Sequence, residues 1–276
     1  MKETTKMTVP AGMTWIYGKK PSNPAPSYDG VFSEQMRMWA LQYKTTEEAI
    51  RAILPEPLEP IPGVDEVMIF AGFAPNVRFI NGEKHTYTEI GWWIPCQYGS
   101  ERGLHMAVTY MDSPSHDEAD GGYMGATVGR EIFGYVKQVA TVNLSSIGPK
   151  MTGTVDRRGT RLVSMELDLT EEAAPSVDMF KAAGFTQFLF VKEIPNCDFT
   201  GYDVRKVTAF SLDRMWDNVT SVRYGTGTVK YDGHLDSDPV DVLKVVKTGR
   251  AIEVVSDIKS VTDWMAAGRE IADLLK

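Results

Sequence analysis

The sequence contains very little cysteine, with only Cys96 and Cys197 among 276 residues. These two form no CxxC pair, and they cannot supply the disulfide framework of a small secreted domain. Such scarcity fits a protein of a reducing compartment. We therefore expect an apolar core to hold the fold together, and a chain of this length is large enough to build one.

Long apolar runs and clustered positive charge are also absent from the sequence. No uncharged apolar stretch approaches the roughly 18 residues of a membrane helix, and residues 1–12, MKETTKMTVPAG, lack the apolar segment of a secretory signal. The net charge is -8, with acidic residues spread along the chain. No basic stripe is present to displace the counterions of a nucleic acid. We therefore expect a cytoplasmic protein with no nucleic acid or membrane partner.

Histidine is scarce as well, and the common catalytic motifs are missing. The chain has no phosphate-binding GKS or GKT sequence and no GxSxG nucleophile turn. Residues 116–120, HDEAD, are typical of a solvated acidic loop rather than a metal site. The segment YGTGT at 224–228 is too short for a dinucleotide fingerprint. No metal-ligand spacing relates the four histidines, which are His85, His105, His116 and His234.

The sequence is rich in strand-like segments. Asn81-Gly82 lies between two of them and is a strong hairpin signal, and residues 156–159, DRRG, mark a second hairpin. The proline-rich residues 1–30 predict an extended arm. Together the segments predict an α+β fold, mostly antiparallel, with a large curved sheet or closed cone-like barrel and peripheral helices. Helices are predicted over 45–54, with a Thr45–Glu48 capping box, and over 123–133, 171–183, 238–249 and 260–275.

Lys137 is the single lysine of residues 129–144, GREIFGYVKQVATVNL, and its neighbours are mostly apolar or aromatic. A lysine in such a place can extend its amine to solvent from the edge of a strand. Alternatively, burial holds the amine neutral for nucleophilic chemistry. At the ordinary lysine pKa of about 10.4 only ~0.04 % of the side chains are neutral at pH 7, and burial can lower that pKa substantially. The residues by themselves leave both interpretations open.

Several segments, taken in order, resemble the acetoacetate decarboxylase family. They are GREIFGYVKQVA, AILPEPLEP, YTEIGWWIP, TYMD, VKEIPN and DPVDVLKVVKTGRAIEVVSD. The resemblance spans roughly residues 35 to 257. It implies one acetoacetate decarboxylase-like domain over 31–276, behind the arm of residues 1–30. It also implies a homo-oligomer and a lysine chemistry that needs no metal or organic cofactor.

The resemblance assigns candidate roles residue by residue. Lys137 takes the place of the lysine that forms a Schiff base, and Glu89, in the YTE segment, takes the place of the acidic residue near the reacting carbonyl. These two are the candidate catalytic residues. Tyr135 matches the tyrosine ahead of the lysine, and together with Gln138 and Met36 it is a candidate for binding substrate. The expected partner is a small-molecule keto acid.

The sequence departs from the family pattern at two places. Gln138 replaces a second lysine, so desolvation instead of an adjacent cation must lower the pKa of the nucleophile. Met36 stands where the family has an arginine, and the acidic partner of that arginine falls at Phe70 or Ala71. Losing both charges together is expected, because a buried charge left alone is costly. Arg37 should point to the opposite face. The change predicts a larger or less polar substrate, with candidate walls in Trp39, Trp92 or Trp93.

Three functions remain open at this level. The first is decarboxylation of acetoacetate or a related, bulkier β-keto acid through an iminium ion on Lys137. The second is an aldolase-dehydratase that condenses pyruvate with an aldehyde, because relatives without the paired lysine include such enzymes. The third is a non-enzymatic barrel that binds a small apolar ligand and uses Lys137 as a charge partner.

Overall fold

The structure, a computed structural model, describes residues 33–78, 84–112, 134, 136–176, 186–212, 216–258 and 268–276. Strands dominate this part of the chain, as the alternating and β-branched segments predict. No helix within it is long and apolar enough to cross a membrane. The strands are β1 Ser33–Lys44, β2 Glu59–Pro60, β3 Glu66–Arg78, β4 Lys84–Tyr98, β5 Glu101–Asp112, β6 Lys137–Val139, β7 Thr141–Ile147, β8 Lys150–Arg157, β9 Thr160–Ala173, β10 Gln187–Pro195, β11 Tyr202–Ser211, β12 Trp216–Tyr231, β13 Lys247–Ile258 and β14 Arg269–Asp273.

These strands form one large mixed sheet. Its order is β14-β11-β10-β5-β4-β3-β1-β13-β12-β9-β8-β7, with β2 added beside β4 and β6 beside β5. All pairs are antiparallel except β5 with β10 and β5 with β6. The sheet curves until β7 approaches β4 and β5, where Val142 N donates to Asp112 Oδ2 at 3.3 Å and Thr88 Oγ1 donates to Val142 O at 3.3 Å. The predicted α+β fold with a large curved sheet is confirmed, and the hydrogen-bonded path of the described strands stays open.

Each face of the sheet carries its own apolar cluster, because successive side chains of a strand point to opposite faces. Trp92 and Trp93 show this, since they are neighbours in the chain and pack in different clusters. The cluster around Trp92 also contains Trp39, Leu41, Ile90 and Tyr110. The second, which we call the methionine cluster, includes Met36, Met38, Met106 and Met111 together with Phe70, Trp93, Phe188 and Phe190.

The hairpins predicted from turn residues are present where the structure describes them. Strands β8 and β9 are joined at Arg158-Gly159, where φ is +50° and +78°. Two successive positive φ values are those of a tight hairpin turn that matches the strand twist. Strands β3 and β4 pair antiparallel, as the Asn81-Gly82 signal predicts. That turn itself lies outside the described residues.

Two predicted helices differ from the structure. The first, α1, covers Glu47–Ile53, and its N-cap is Thr46, whose hydroxyl accepts from Ala49 N at 3.2 Å, in place of the predicted Thr45. Residues 238–249 are not a helix, because only a 3-10 turn forms at Val240–Val242 and β13 begins at Lys247. Within the predicted helix, Lys247 and Thr248 pair with Lys44 and Tyr43 of β1, and Val246 N donates to Lys44 O at 2.8 Å. At the end of the predicted helix, pairing with β1 therefore outweighs the local helical pattern.

The other predicted helices are corrected in part. Residues 171–173, placed at the start of a helix, end strand β9 and pair with β12. Residues 269–273, placed in the last helix, form strand β14 against β11. In both places an available strand edge decides the conformation. The predicted helix over 123–133 and the arm over 1–30 lie outside the described residues.

Candidate active site

Lys137 is the first residue of the short strand β6. This strand runs parallel to β5, with Lys137 opposite Thr109. Thr109 N donates to Val136 O and Ala140 N donates to Met111 O, both at 3.0 Å. The backbone around the lysine is therefore fixed to the C-terminal half of β5. Strand β10 pairs with β5 closer to its start, at Leu104.

Glu89 lies in the middle of β4, on the other side of β5. It is paired with Met111 on β5 and with Gly72 on β3. Directly opposed residues share a face, and Lys137 shares the face of Met111 because its partner Thr109 lies two residues earlier in β5. The register therefore places the two candidate catalytic side chains together on the face of the methionine cluster.

The two side chains meet in a buried ion pair. Lys137 Nζ lies 2.9 Å from Glu89 Oε2, and the side chains are 8 % and 9 % exposed. The amine of Lys137 thus ends on a buried carboxylate and does not extend to solvent. A carboxylate at hydrogen-bond distance favours the protonated amine. The same contact places a proton acceptor where an attacking amine would release its proton.

Gly72 leaves space beside this pair, a feature that the sequence reasoning missed. A Cβ on Gly72 would lie 3.0 Å from Met36 Cε, 3.1 Å from Glu89 Cγ and 3.4 Å from Glu89 Oε1. Met36 and Glu89 therefore approach each other over the bare backbone of Gly72. A glycine inside a strand pattern is a known sign of close approach, so this signal was present in the sequence.

Not all the candidate substrate-binding residues reach the pair. Met36 is buried in the methionine cluster and adjoins Glu89 across Gly72. Gln138 is paired with Tyr110, which belongs to the Trp92 cluster, so the register places it on the face opposite to Lys137. Tyr135 lies outside the described residues.

Phe70 and Ala71, where the family has an acidic residue, lie on opposite faces of the sheet. The three candidate tryptophans are also divided between the two faces. Phe70 and Trp93 lie on the face of the ion pair, with ring centroids 5.0 Å apart. Ala71, Trp39 and Trp92 belong to the Trp92 cluster. Of the three candidate walls, Trp93 is therefore the one on the face of Lys137.

Arg37 is directed to a different carboxylate. Its Nη1 lies 3.6 Å from Oε1 of Glu253, which is 1 % exposed and also accepts from Trp39 Nε1 at 2.8 Å. Arg37 thus interacts with the side of the sheet on which Trp39 packs, as its position next to Met36 predicts. Among the described residues, no group of three or more histidine, cysteine or acidic side chains is arranged to hold a metal ion.

Comparison with solved structures identifies the fold. Acetoacetate decarboxylase from Legionella pneumophila subsp. pneumophila str. Philadelphia 1 matches with a TM-score of 0.70 and 18% identity, covering 98% of this chain and 99% of that chain. The enduracididine biosynthesis enzyme MppR, complexed with the condensation product of pyruvate and imidazole 4-carboxaldehyde, matches with a TM-score of 0.62 and 12% identity, over 87% of this chain and 88% of that chain. The sheet therefore has the acetoacetate decarboxylase fold.

Sequence comparison then identifies the family. The family described as acetoacetate decarboxylase (ADC) matches residues 18–271. The acetoacetate decarboxylase of Burkholderia multivorans (strain ATCC 17616 / 249) is 26% identical over 221 residues, which are 79% of this chain and 80% of the relative. The chain belongs to the acetoacetate decarboxylase family, and the resemblance found in its sequence is confirmed.

Proposed function

We propose that this protein is a carboxy-lyase that forms a Schiff base between Lys137 and a β-keto acid, namely acetoacetate or a related, bulkier substrate. The observation that carries the proposal is the buried contact of Lys137 Nζ with Glu89 Oε2 at 2.9 Å. Family membership supports the same reaction class. A lone lysine on a barrel wall would need neither this burial nor this partner.

The reaction begins when the neutral amine of Lys137 attacks the ketone carbon of the substrate. Loss of water from the resulting carbinolamine gives an iminium ion, which withdraws electrons from the adjacent carbon. The bond to the carboxylate group then breaks, carbon dioxide leaves, and the bonding electron pair forms an enamine. Protonation of the enamine carbon and hydrolysis by water release the ketone product and restore the amine.

Glu89 handles the proton in this scheme. Only the neutral amine attacks, so a protonated Lys137 must first lose one proton. Glu89 Oε2 is within hydrogen-bond distance to accept that proton and can return it to the enamine or to the departing hydroxyl. The low exposure of both side chains removes water that would otherwise stabilise their separated charges.

The position of Met36 is the argument for a substrate that is larger or less polar than acetoacetate. Its thioether adjoins Glu89 across Gly72, and the surrounding methionine cluster contains other flexible apolar side chains. Methionine adapts its shape to irregular apolar partners. We therefore expect turnover to improve as an alkyl or aryl group is added to the β-keto acid. Preference for unsubstituted acetoacetate would contradict this part of the proposal.

A second candidate function is the aldol condensation of pyruvate with an aldehyde, followed by loss of water. The observation that favours it is the fold shared with MppR, which is known in complexes with pyruvate and with a condensation product. Both candidates pass through an iminium ion on the same lysine. Carbon dioxide release supports decarboxylation, and a conjugated, absorbing product from pyruvate and an aldehyde supports condensation.

Reductive trapping tests the proposal directly. The protein is incubated with acetoacetate, with a bulkier β-keto acid or with pyruvate, then treated with borohydride and weighed as an intact chain by mass spectrometry. We expect a mass gain that matches a reduced imine, and peptide mapping that places it on Lys137. The adduct should be lost in Lys137→Met.

A matched control comes from the same sheet. Lys206 Nζ pairs with Glu270 Oε2 at 2.7 Å, but these side chains are 32 % and 46 % exposed. Lys206→Met should therefore trap as well as the wild type. Absence of an adduct with all three ketones would instead favour the non-enzymatic barrel. An adduct that persists in Lys137→Met would assign the chemistry to another lysine.

A further inference from the structure

The outer edge of strand β6 is held by an arginine from a distant hairpin. The ladder with β5 uses Val136 O and Ala140 N, so alternate residues of the segment direct their backbone groups toward β5. Val139, between them, directs its carbonyl away from β5. That carbonyl accepts a hydrogen bond from Arg157 Nη1 at 2.7 Å. Within the described strands β6 pairs with β5 alone, so Arg157 supplies a contact on the side that has no strand neighbour.

Arg157 is itself held by a buried carboxylate. Its Nε lies 3.2 Å from Asp238 Oδ2, and the side chains are 16 % and 0 % exposed. Asp238 also accepts from Ser237 Oγ at 2.6 Å and from Tyr110 OH at 3.0 Å. Burial by itself would raise the pKa of Asp238, but the hydrogen bonds from Ser237, Arg157 and Tyr110 bring it below its ordinary value. The carboxylate therefore stays ionised at neutral pH and keeps its hold on the guanidinium.

This network returns to β5, the strand that pairs with the one carrying the lysine. Tyr110 lies on β5 and is paired with Gln138 of β6. The chain of contacts from the Val139 carbonyl through Arg157 and Asp238 to Tyr110 therefore ties the free edge of β6 back to β5. Three consecutive residues with one neighbouring strand would otherwise make a weak ladder.

We propose that Arg157 is a positioning residue, which holds β6 in register so that Lys137 Nζ stays within reach of Glu89. This inference rests on the proposed function. Chemistry at a buried amine requires near-attack geometry, and a displacement of about 1 Å can cost about 100-fold in rate. An arginine suits the task because its fixed fork contacts the carbonyl and the carboxylate at once. A lysine ends in one compact ammonium group without this planar fork, so it holds the two acceptors in less fixed positions.

The experiment compares Arg157→Met with Arg161→Met. Arg161 lies on the same hairpin and pairs through Nε with Asp156 Oδ1 at 2.6 Å, with side chains that are 45 % and 30 % exposed. Both variants lose one arginine and one ion pair. The first measurements are kcat and KM for decarboxylation, the rate of borohydride trapping, and the pH profile of Lys137 modification by an amine-reactive reagent.

We expect Arg157→Met to lower kcat by about 10- to 100-fold with a smaller change in KM. The pH profile of Lys137 modification should differ from that of the wild type, because the contact of the amine with Glu89 changes. Arg157→Lys should recover only part of the loss, and Arg161→Met should resemble the wild type. Equal kcat values and equal modification profiles for Arg157→Met and Arg161→Met would overturn the proposal.

Hydrogen exchange of residues 136–142 separates this inference from the proposed function. Faster exchange in Arg157→Met than in Arg161→Met supports the positioning role even if no ketone is trapped by the wild type, and equal exchange overturns it. If Arg157→Met does not fold, Asp238→Asn replaces it, because the amide keeps the shape of the side chain but loses the charge that holds Arg157. Wild-type kcat and exchange in Asp238→Asn would also overturn the proposal.

Discussion

Neutralising either member of the Lys137–Glu89 pair should destabilise the fold more than neutralising both. The variants are Lys137→Met, Glu89→Gln and the double substitution, which are close to the native side chains in size. Both native side chains are less than a tenth exposed, with Nζ and Oε2 2.9 Å apart. Removing one partner of a buried pair leaves an uncompensated charge and costs about 3–5 kcal/mol, whereas replacing both can be nearly neutral. We therefore expect a coupling free energy of several kcal/mol in the double-mutant cycle.

The pH dependence of each single variant gives the mechanism of the loss. In Glu89→Gln the buried amine is expected to give up its proton, while the unfolded chain keeps it. For a lysine with an ordinary pKa of about 10.4, removing the proton costs about 4–5 kcal/mol at pH 7. This cost falls by about 1.4 kcal/mol for each unit by which the pH rises. The unfolded state then binds more protons, so the stability of Glu89→Gln rises with pH. In Lys137→Met the lone buried carboxyl is expected to take up a proton, so its stability falls as pH rises.

Urea unfolding at pH 6, 7.5 and 9 measures these free energies, with refolding checked at each pH. The exposed Lys206–Glu270 pair provides the matched cycle, and its coupling should be below about 1 kcal/mol. Additivity of the Lys137 and Glu89 variants to within about 0.5 kcal/mol would refute the reasoning. So would single variants whose stability has the same pH slope as the wild type.

Two further predictions concern the same face and its surroundings. Gly72→Ala should slow reductive trapping while costing only about 1–3 kcal/mol of stability, because the new Cβ would lie 3.0 Å from Met36 Cε and 3.1 Å from Glu89 Cγ; unchanged trapping, with folding checked by circular dichroism, would contradict it. His105 is buried with Nδ1 3.0 Å from Leu189 O, and burial lowers its pKa to about 4 despite that hydrogen bond. As the pH falls, the unfolded state takes up a proton on His105 before the folded state does, so the free energy of unfolding should fall by about 3 kcal/mol between pH 6.5 and pH 4. Urea unfolding of His105→Gln should lack this part of the pH dependence. An equal pH dependence in both proteins would disprove the assignment.

The strand content was predictable because it depends on short-range patterns. The alternation in β1 sends Met38 to one face and Trp39 to the other, and the structure packs them in separate clusters. The Arg158-Gly159 turn joins β8 and β9 as its sequence indicates. Residues 238–249 failed as a helix for the converse reason. Their helical pattern is local, but Lys247 and Thr248 at their end pair with Lys44 and Tyr43 of β1, which is distant in the sequence.

The candidate site was predictable only in its individual residues. The apolar surroundings of Lys137 pointed to an unusual lysine, and resemblance to a family added Glu89. Nothing local relates these two positions, which lie on different strands and meet because β5 lies between β4 and β6. Arg157 was visible only as part of a turn, since its contact with Val139 depends on the curvature that brings the β8–β9 hairpin to β6.

The sequence by itself therefore determined most of the strands, their two-faced pattern and the chemistry that a lysine in apolar surroundings could perform. These properties follow from side-chain periodicity and turn preferences, which act over a few residues. The tertiary structure decided which carboxylate meets the lysine, which glycine leaves room for that carboxylate and Met36, and which arginine holds the strand of the lysine. Those contacts depend on register and curvature, because residues separated by 17 to 81 positions become neighbours only when the sheet is assembled.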